Sequence, residues 1–158
     1  MRWLLAFLLA CSAPVKPAVT QLPPDTKLID GDSTFNASER YKGNVVVLDF
    51  WAGWCAECKR SVPQVARLAK RFQREGLIVV GVNAGDERAV AARYAAELGI
   101  DYPIALDPEL ELSDKLGGGR LPLLVVIDRD GSIVHRAKQV DEETLRVIRK
   151  LLQTPTAR

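Results

Sequence analysis

Between Val45 and Trp51 the chain is apolar at every position but Asp49, the pattern of a β-strand buried on both faces. Leu77–Val82 and Leu123–Ile127 are two further runs of this kind. Between the first two, Val62, Val65, Leu68, Ala69 and Phe72 fall on one stripe of a helix. A second helix is expected from Asp86, a residue type that caps helix N-termini, through Val90, Ala91, Tyr94, Ala95 and Leu98 to a stop at Gly99. Tyr102–Leu106 is an additional short strand candidate. The turn Asp128-Arg129-Asp130-Gly131 separates Leu123–Ile127 from Ser132–Arg136 and predicts a hairpin. A last helix follows Asp141 as its cap, with Glu142 and Glu143 in the first turn and Arg146, Arg149 and Lys150 towards the end, which complements the helix dipole. Strands alternating with helices, then a hairpin and a terminal helix, predict an α/β sandwich with a mixed central sheet. The domain is expected over residues 26–152, with 153–158 as a C-terminal tail.

Ahead of the domain the rhythm is lost. Residues 11–25 are the linker, and within it Ser12–Pro24, with prolines at 14, 17, 23 and 24, predicts a semi-extended spacer, at most about 40 Å long at about 3.1 Å per residue. The first ten residues hold one charge, Arg2, then the apolar run Trp3–Ala10. Eight helical residues reach only about 12 Å, too short for a bilayer core of about 30 Å, so a secretory signal is the expectation. Leu8-Leu9-Ala10-Cys11 resembles the lipobox of bacterial lipoproteins, in which cleavage precedes the cysteine and its sulfur takes a diacylglycerol. On that resemblance residues 1–10 are a signal peptide and Cys11 is lipidated, giving an anchor to the membrane. An ordinary cleaved signal and an apolar tail on a cytosolic protein are the competing readings.

Composition narrows the partners. Over 158 residues, 22 Lys+Arg stand against 20 Asp+Glu, and 47% of positions are hydrophobic, which excludes a disordered or fibrous chain. No basic cluster gives a nucleic-acid footprint. Three cysteines are too few for a disulfide-dense scaffold, and an odd number leaves one to be explained.

Two of them form Cys55-Ala56-Glu57-Cys58, placed where the first buried strand passes into the first long helix. There the first sulfur meets unpaired N–H groups of a helix N-terminus, which favour thiolate over thiol. The second sulfur lies one turn along, within reach of a small disulfide ring. Cys55 is therefore the expected nucleophile and Cys58 the resolving thiol. A structural zinc site would need four ligands, and beyond this pair the chain offers only His135 and Cys11. A purely structural disulfide would close too short a loop to stabilise much, and inert buried thiols would not need this placement. Redox chemistry fits best.

The segment Phe50-Trp51-Ala52-Gly53-Trp54-Cys55-Ala56-Glu57-Cys58-Lys59 resembles the active-site segment of the thioredoxin superfamily. Pro63 stands where that family carries a helix-kinking proline, and Leu121-Pro122 where it has a cis-proline loop facing the disulfide. Tyr41–Leu48 and Ile127–Gly131 are similar to the membrane-anchored, extracytoplasmic TlpA/ResA-like branch. The resemblance implies a thioredoxin-like three-layer sandwich. It further implies a thiol–disulfide oxidoreductase on the outer face of a bacterial membrane, reducing protein disulfides in the cell envelope, such as those of apocytochromes or copper-site proteins. A membrane electron donor, a monomer, no metal and no cofactor beyond a Cys55–Cys58 disulfide are the corresponding expectations.

Further roles follow from the same resemblance. Asp49 lies six positions before Cys55, like the buried acid of thioredoxin, and would accept the Cys58 proton through water. Many relatives of the TlpA/ResA branch carry Asn there. Pro122 would be cis, and the Leu121 backbone would pair with an extended substrate segment. Trp54 is the candidate substrate contact, with Trp51 in the core. Glu57, where proline is common, either disfavours the Cys55 thiolate or is simply solvated. His135 is expected as an exposed strand residue, and Gly117-Gly118-Gly119 as a flexible lead into Pro122. Two other functions on this fold are weaker fits. Peroxiredoxins carry Thr where this chain has Ala52, and Sco-type copper chaperones space their cysteines by three residues and add a histidine.

Overall fold

The computed structural model describes residues 19–154 apart from Gly118. The signal peptide, Cys11 and the tail beyond residue 154 lie outside the described residues. In chain order the elements are β1 (Lys27–Asp30), β2 (Ser33–Asn36), α1 (Ala37–Arg40), β3 (Val45–Trp51), α2 (Cys58–Phe72) and a 3₁₀ turn (Gln73–Glu75). Then come β4 (Leu77–Ala84), α3 (Arg88–Leu98), β5 (Ile104–Asp107), α4 (Glu111–Gly117), β6 (Leu123–Ile127), β7 (Ile133–Ala137) and α5 (Glu142–Gln153).

The seven strands form one mixed sheet in the order β2-β1-β5-β4-β3-β6-β7. β3, β4 and β5 run parallel, while β6 is antiparallel to both β3 and β7. β3 lies between two neighbours and is buried along its whole length, as its apolar run requires. Its alternate side chains enter different layers. Val46, Leu48 and Phe50 join Val80, Val82, Val125 and Ile127 beneath Ala37 of α1 and Leu112 and Leu116 of α4. Val45 and Val47 join Val79, Leu124 and Val126 beneath Val65, Leu68 and Phe72 of α2 and Ile148 of α5. The three-layer α/β sandwich expected from the sequence is thus present.

Four expectations need correction. The linker does not run to residue 25: the Leu22 N–H donates to the Gly131 carbonyl at 2.9 Å, the Ile133 N–H donates to that of Thr20 at 2.8 Å, and Leu22 is buried. Backbone pairing with the edge of β7 holds this proline-flanked segment on the domain. Asp86 does not cap α3, which begins two residues later behind Glu87, because its carboxylate is used elsewhere. Gly117 is not part of a flexible lead but the last residue of α4, whose start is held by Asp107: Oδ2 accepts from the Ser113 N–H at 2.8 Å and from its hydroxyl at 2.6 Å. His135 is half-buried, and its Nε2 lies 3.0 Å from the Thr144 hydroxyl. That hydroxyl already gives its one proton to the α5 cap Asp141, so the histidine is the donor.

Candidate active site

Where β3 ends, Trp51 and Ala52 remain buried and the chain turns over Gly53 and Trp54 into Cys55. The turn is tied at two points. The Cys55 N–H donates to the Ala52 carbonyl at 3.1 Å, and the Gly53 N–H donates to Asp86 Oδ2 at 2.6 Å. The Asp86 carboxylate also accepts from Asn83 Nδ2 at 2.9 Å, so the end of β4 supports the loop that presents the cysteines. Gly53 is required for space: a Cβ there would stand 2.2 Å from the Tyr94 ring of α3.

Cys55 and Cys58 are joined in a disulfide, Sγ–Sγ 2.07 Å. The two sulfurs are placed unequally. Cys58 opens α2 and is fully buried, while Cys55 precedes the helix with 6% of its surface exposed, beside Trp54 at 65%. The Cys58 N–H, at the start of the helix, is shared between the Cys55 carbonyl and Cys55 Sγ, each at 3.2 Å. In the reduced protein that donor and the helix dipole favour a thiolate on Cys55. The first turn of α2 holds no acidic residue, and Glu57, just outside it, is exposed and makes no capping hydrogen bond. The solvated reading of Glu57 is the one this placement matches.

The Leu121–Pro122 peptide bond is cis. Leu121 packs against the cluster that holds Trp51, Cys55 and Cys58 as well as against the core behind it. Pro122 lines an open groove of about 400 Å³ with Glu57, Arg60 and Ser61 of the cysteine segment and Arg136 and Lys138 from β7 and the loop after it. The turn with Cys55, the start of α2 and the Leu121–Pro122 loop therefore converge on one end of the sheet, where β3 finishes and β6 begins.

Asp49 is fully buried on β3, two residues before Trp51 and hence on the face covered by α2. Its Oδ2 accepts a hydrogen bond of 2.5 Å from the hydroxyl of Tyr102, which lies in the segment leading into β5. Burial pushes the carboxyl up to about 7, although the bond from Tyr102 pulls the other way. Burial first, and then the charge of Asp49, drive the Tyr102 phenol well above its ordinary range, so it stays a donor. Nothing in the sequence pointed to Tyr102. It is 53 positions from Asp49 in the chain, and only the parallel crossover brings the two together. Among the described residues no three His, Cys, Asp or Glu side chains converge as a metal site.

The sequence profile of the Redoxin family matches residues 17–152. The thiol–disulfide oxidoreductase ResA of Geobacillus thermodenitrificans is 30% identical over 116 residues, covering 73% of this chain and 67% of that protein. ResA of Bacillus subtilis is 31% identical over 59% of this chain and 52% of its own length. A solved structure of a putative thiol:disulfide interchange protein DsbE from Chlorobium tepidum superposes with a TM-score of 0.68 at 25% identity, covering 86% of this chain and 96% of that one. A putative protein disulfide isomerase from Bacteroides thetaiotaomicron gives a TM-score of 0.74 at 23% identity, over 86% and 91% of the two chains.

Proposed function

The chain belongs to the Redoxin family and is a thiol–disulfide oxidoreductase whose reactive group is the Cys55–Cys58 pair, and from that premise we propose that it reduces disulfides of extracytoplasmic proteins in a bacterial cell envelope. The observation that carries the assignment of roles is the inequality of the two sulfurs. Cys55 keeps 6% of its surface exposed, with a helix-start N–H on its sulfur, and Cys58 is fully buried.

Reduced Cys55 attacks a substrate disulfide as thiolate. One substrate sulfur leaves with its bonding pair and a mixed disulfide forms. Cys58 then gives up its proton and attacks Cys55, the second substrate sulfur leaves, and the Cys55–Cys58 disulfide is made. Two electrons have passed to the substrate, and a dithiol donor at the membrane restores the enzyme. Asp49, on the sheet face under α2, is the acceptor of the Cys58 proton. Trp54 and the Leu121 backbone are the substrate contacts beside Cys55, with the extended segment pairing along Leu121 beside Pro122. The signal-like residues 1–10 and the lipobox-like Leu8-Leu9-Ala10-Cys11 support lipidation at Cys11 and placement on the outer face of the membrane. None of the described helices is long and apolar enough to cross a bilayer.

The test is a trap. A full chain carrying Cys58→Ser stops at the mixed disulfide, so envelope proteins with cysteine pairs are expected in covalent complex with Cys55. A folded variant that captures none of them overturns the substrate assignment. Mass spectrometry of the mature N-terminus decides the lipid: a diacylglyceryl mass on Cys11 supports the anchor, and an unmodified or absent Cys11 removes it.

A further inference from the structure

Asp49 Oδ1 and Trp51 Nε1 are the buried side-chain polar atoms, among the described residues, that have no hydrogen-bond partner. They belong to side chains two apart on β3, hence on one face, and that face is covered by the helix that Cys58 opens. The other oxygen of the same carboxylate is firmly held, at 2.5 Å from the Tyr102 hydroxyl. A buried carboxylate with one oxygen tied and the other bare is not a structural ion pair, and an unmet polar atom in a closed core is destabilising, so its presence here points to a use.

The approach of Tyr102 to Asp49 is built into the sheet. Asp49 pairs with Gly81 across β3 and β4. A Cβ on Gly81 would stand 3.1 Å from Tyr102 Cε2 and 3.0 Å from Trp51 Nε1, so the missing side chain is what admits both rings. The Gly81 N–H donates to the Pro103 carbonyl at 2.8 Å, which fixes the backbone one residue beyond Tyr102. Around this pocket the titratable groups are few. α2 contributes Cys58 at its start and Lys70 near its end, and Lys70 is already paired at 2.7 Å with Asp101, next to Tyr102. From the sheet, Gly81 of β4 and Leu124 of β6 flank Asp49 and carry no charge.

We infer that Tyr102 is a positioning residue for the resolving step: by donating to Oδ2 it fixes the Asp49 carboxylate so that Oδ1 alone receives the proton of Cys58. This rests on Asp49 being the proton acceptor. In the step, the Cys58 S–H bond breaks and its proton passes through water to Oδ1. The sulfur's electron pair forms the bond to Cys55, and the substrate sulfur departs with the pair of the mixed disulfide. The phenol keeps its own proton throughout. Its hydrogen bond also stabilises the charged carboxylate, offsetting part of the effect of burial and keeping the base active near neutral pH.

The experiment follows the decay of a preformed mixed disulfide on Cys55, in the full chain, as a function of pH. Tyr102→Phe is expected to move the midpoint of the resolving rate upward by about one pH unit and to slow it about fivefold at pH 7. In an Asp49→Asn background the same change is expected to move nothing. A midpoint unmoved by Tyr102→Phe, while Asp49→Asn abolishes the titration, overturns the role of Tyr102 and leaves Asp49 as the base. A titration that survives in Asp49→Asn overturns both. Because a packing defect in Tyr102→Phe would slow both backgrounds alike, equal slowing counts against the inference. The infrared carboxyl band of Asp49, identified by its loss in Asp49→Asn, gives a second reading: a shift to the frequency of a free acid in Tyr102→Phe is expected, and an unchanged band refutes it.

Discussion

Val46, Leu48 and Phe50 leave β3 for a layer made of aliphatic and aromatic side chains under α1 and α4, whereas Val47, Asp49 and Trp51 leave the same strand for the layer under α2. The first layer is packing and nothing else. The second begins the same way at Val45 and Val47, then gives up two positions to groups with unmet polar atoms as the strand nears the disulfide. One strand thus separates two surroundings by its twofold alternation: an apolar layer on one face, and on the other a layer that takes in a buried acid under the helix that Cys58 opens. The contrast teaches that the buried acid is held against its own solvation preference by the well-packed face behind it.

Neighbouring substitutions on the two faces break that comparison most sharply. Asp49→Asn is expected to slow the resolving step by about 10²–10⁴, the usual contribution of a positioned acid or base. Its effect on stability has the opposite sign. The folded carboxyl sits near 7 against an ordinary 3.8, so its contribution is fully present below about pH 4 and is lost as pH rises through 7. Removing the charge should therefore stabilise the fold by something on the order of 4 kcal/mol at pH 8 and by little at pH 4. Leu48→Ala, one residue away and fully buried, should cost about 2–5 kcal/mol at either pH. Urea unfolding at the two pH values checks both. A stability gain for Asp49→Asn that does not depend on pH would mean that the carboxyl is not the strained group.

A smaller effect is expected from Gly81→Ala, which touches the chemical face only through its neighbours. The added methyl meets Trp51 Nε1 and Tyr102 Cε2 at about 3 Å, tighter than most side-chain contacts, so the rings must give by a few tenths of an ångström. Overpacking of this kind costs about 1–3 kcal/mol. If the ring of Tyr102 is displaced, the resolving step must also show the upward midpoint shift expected of Tyr102→Phe. A loss of stability with the pH profile intact would separate packing at Gly81 from the tuning of Asp49.

What the sequence revealed follows the same division. The face-blind signals were plain: an apolar run of seven around Asp49, a helical stripe ending at Phe72, and the cysteine spacing at the junction between them. They suffice for the sandwich and for the redox pair, because burial on both faces and a helix start leave local marks. β1 and β2 left no mark, since four-residue strands with a single buried position between them give alternation too little length. α4 was hidden for a related reason, its cap Asp107 standing four residues ahead of the helix. Tyr102 and Asp86 were visible as residues but not as partners. A hydrogen bond across 53 positions is decided by where the crossover returns, and Asp86 resembled a helix cap until the loop of Gly53 competed for its carboxylate.

Asp86 supplies the mildest test, because it acts on the loop and not on the reacting atoms. Its Oδ2 holds the Gly53 N–H two residues before Cys55, and the same carboxylate is braced by Asn83, itself fully buried. Asp86→Ala leaves both donors without that acceptor, but Asp86 is only half-buried, so water replaces part of the loss and stability should fall by about 1 kcal/mol. The larger consequence is positional. Without that tie the turn holding Trp54 and Cys55 loses its anchor at the end of β4 and keeps the bonds within its own segment, from the Cys55 N–H to Ala52 and from the Cys58 N–H to Cys55, and attack on a protein disulfide needs a fixed sulfur. We expect kcat/KM for a protein substrate to fall about three- to tenfold, while the pH midpoint of the resolving step, governed by Asp49 and Tyr102 under α2, stays where it is. A moved midpoint would show that the loop and the buried acid are coupled, and the separation of the two faces of β3 would have to be given up at the end nearest the disulfide.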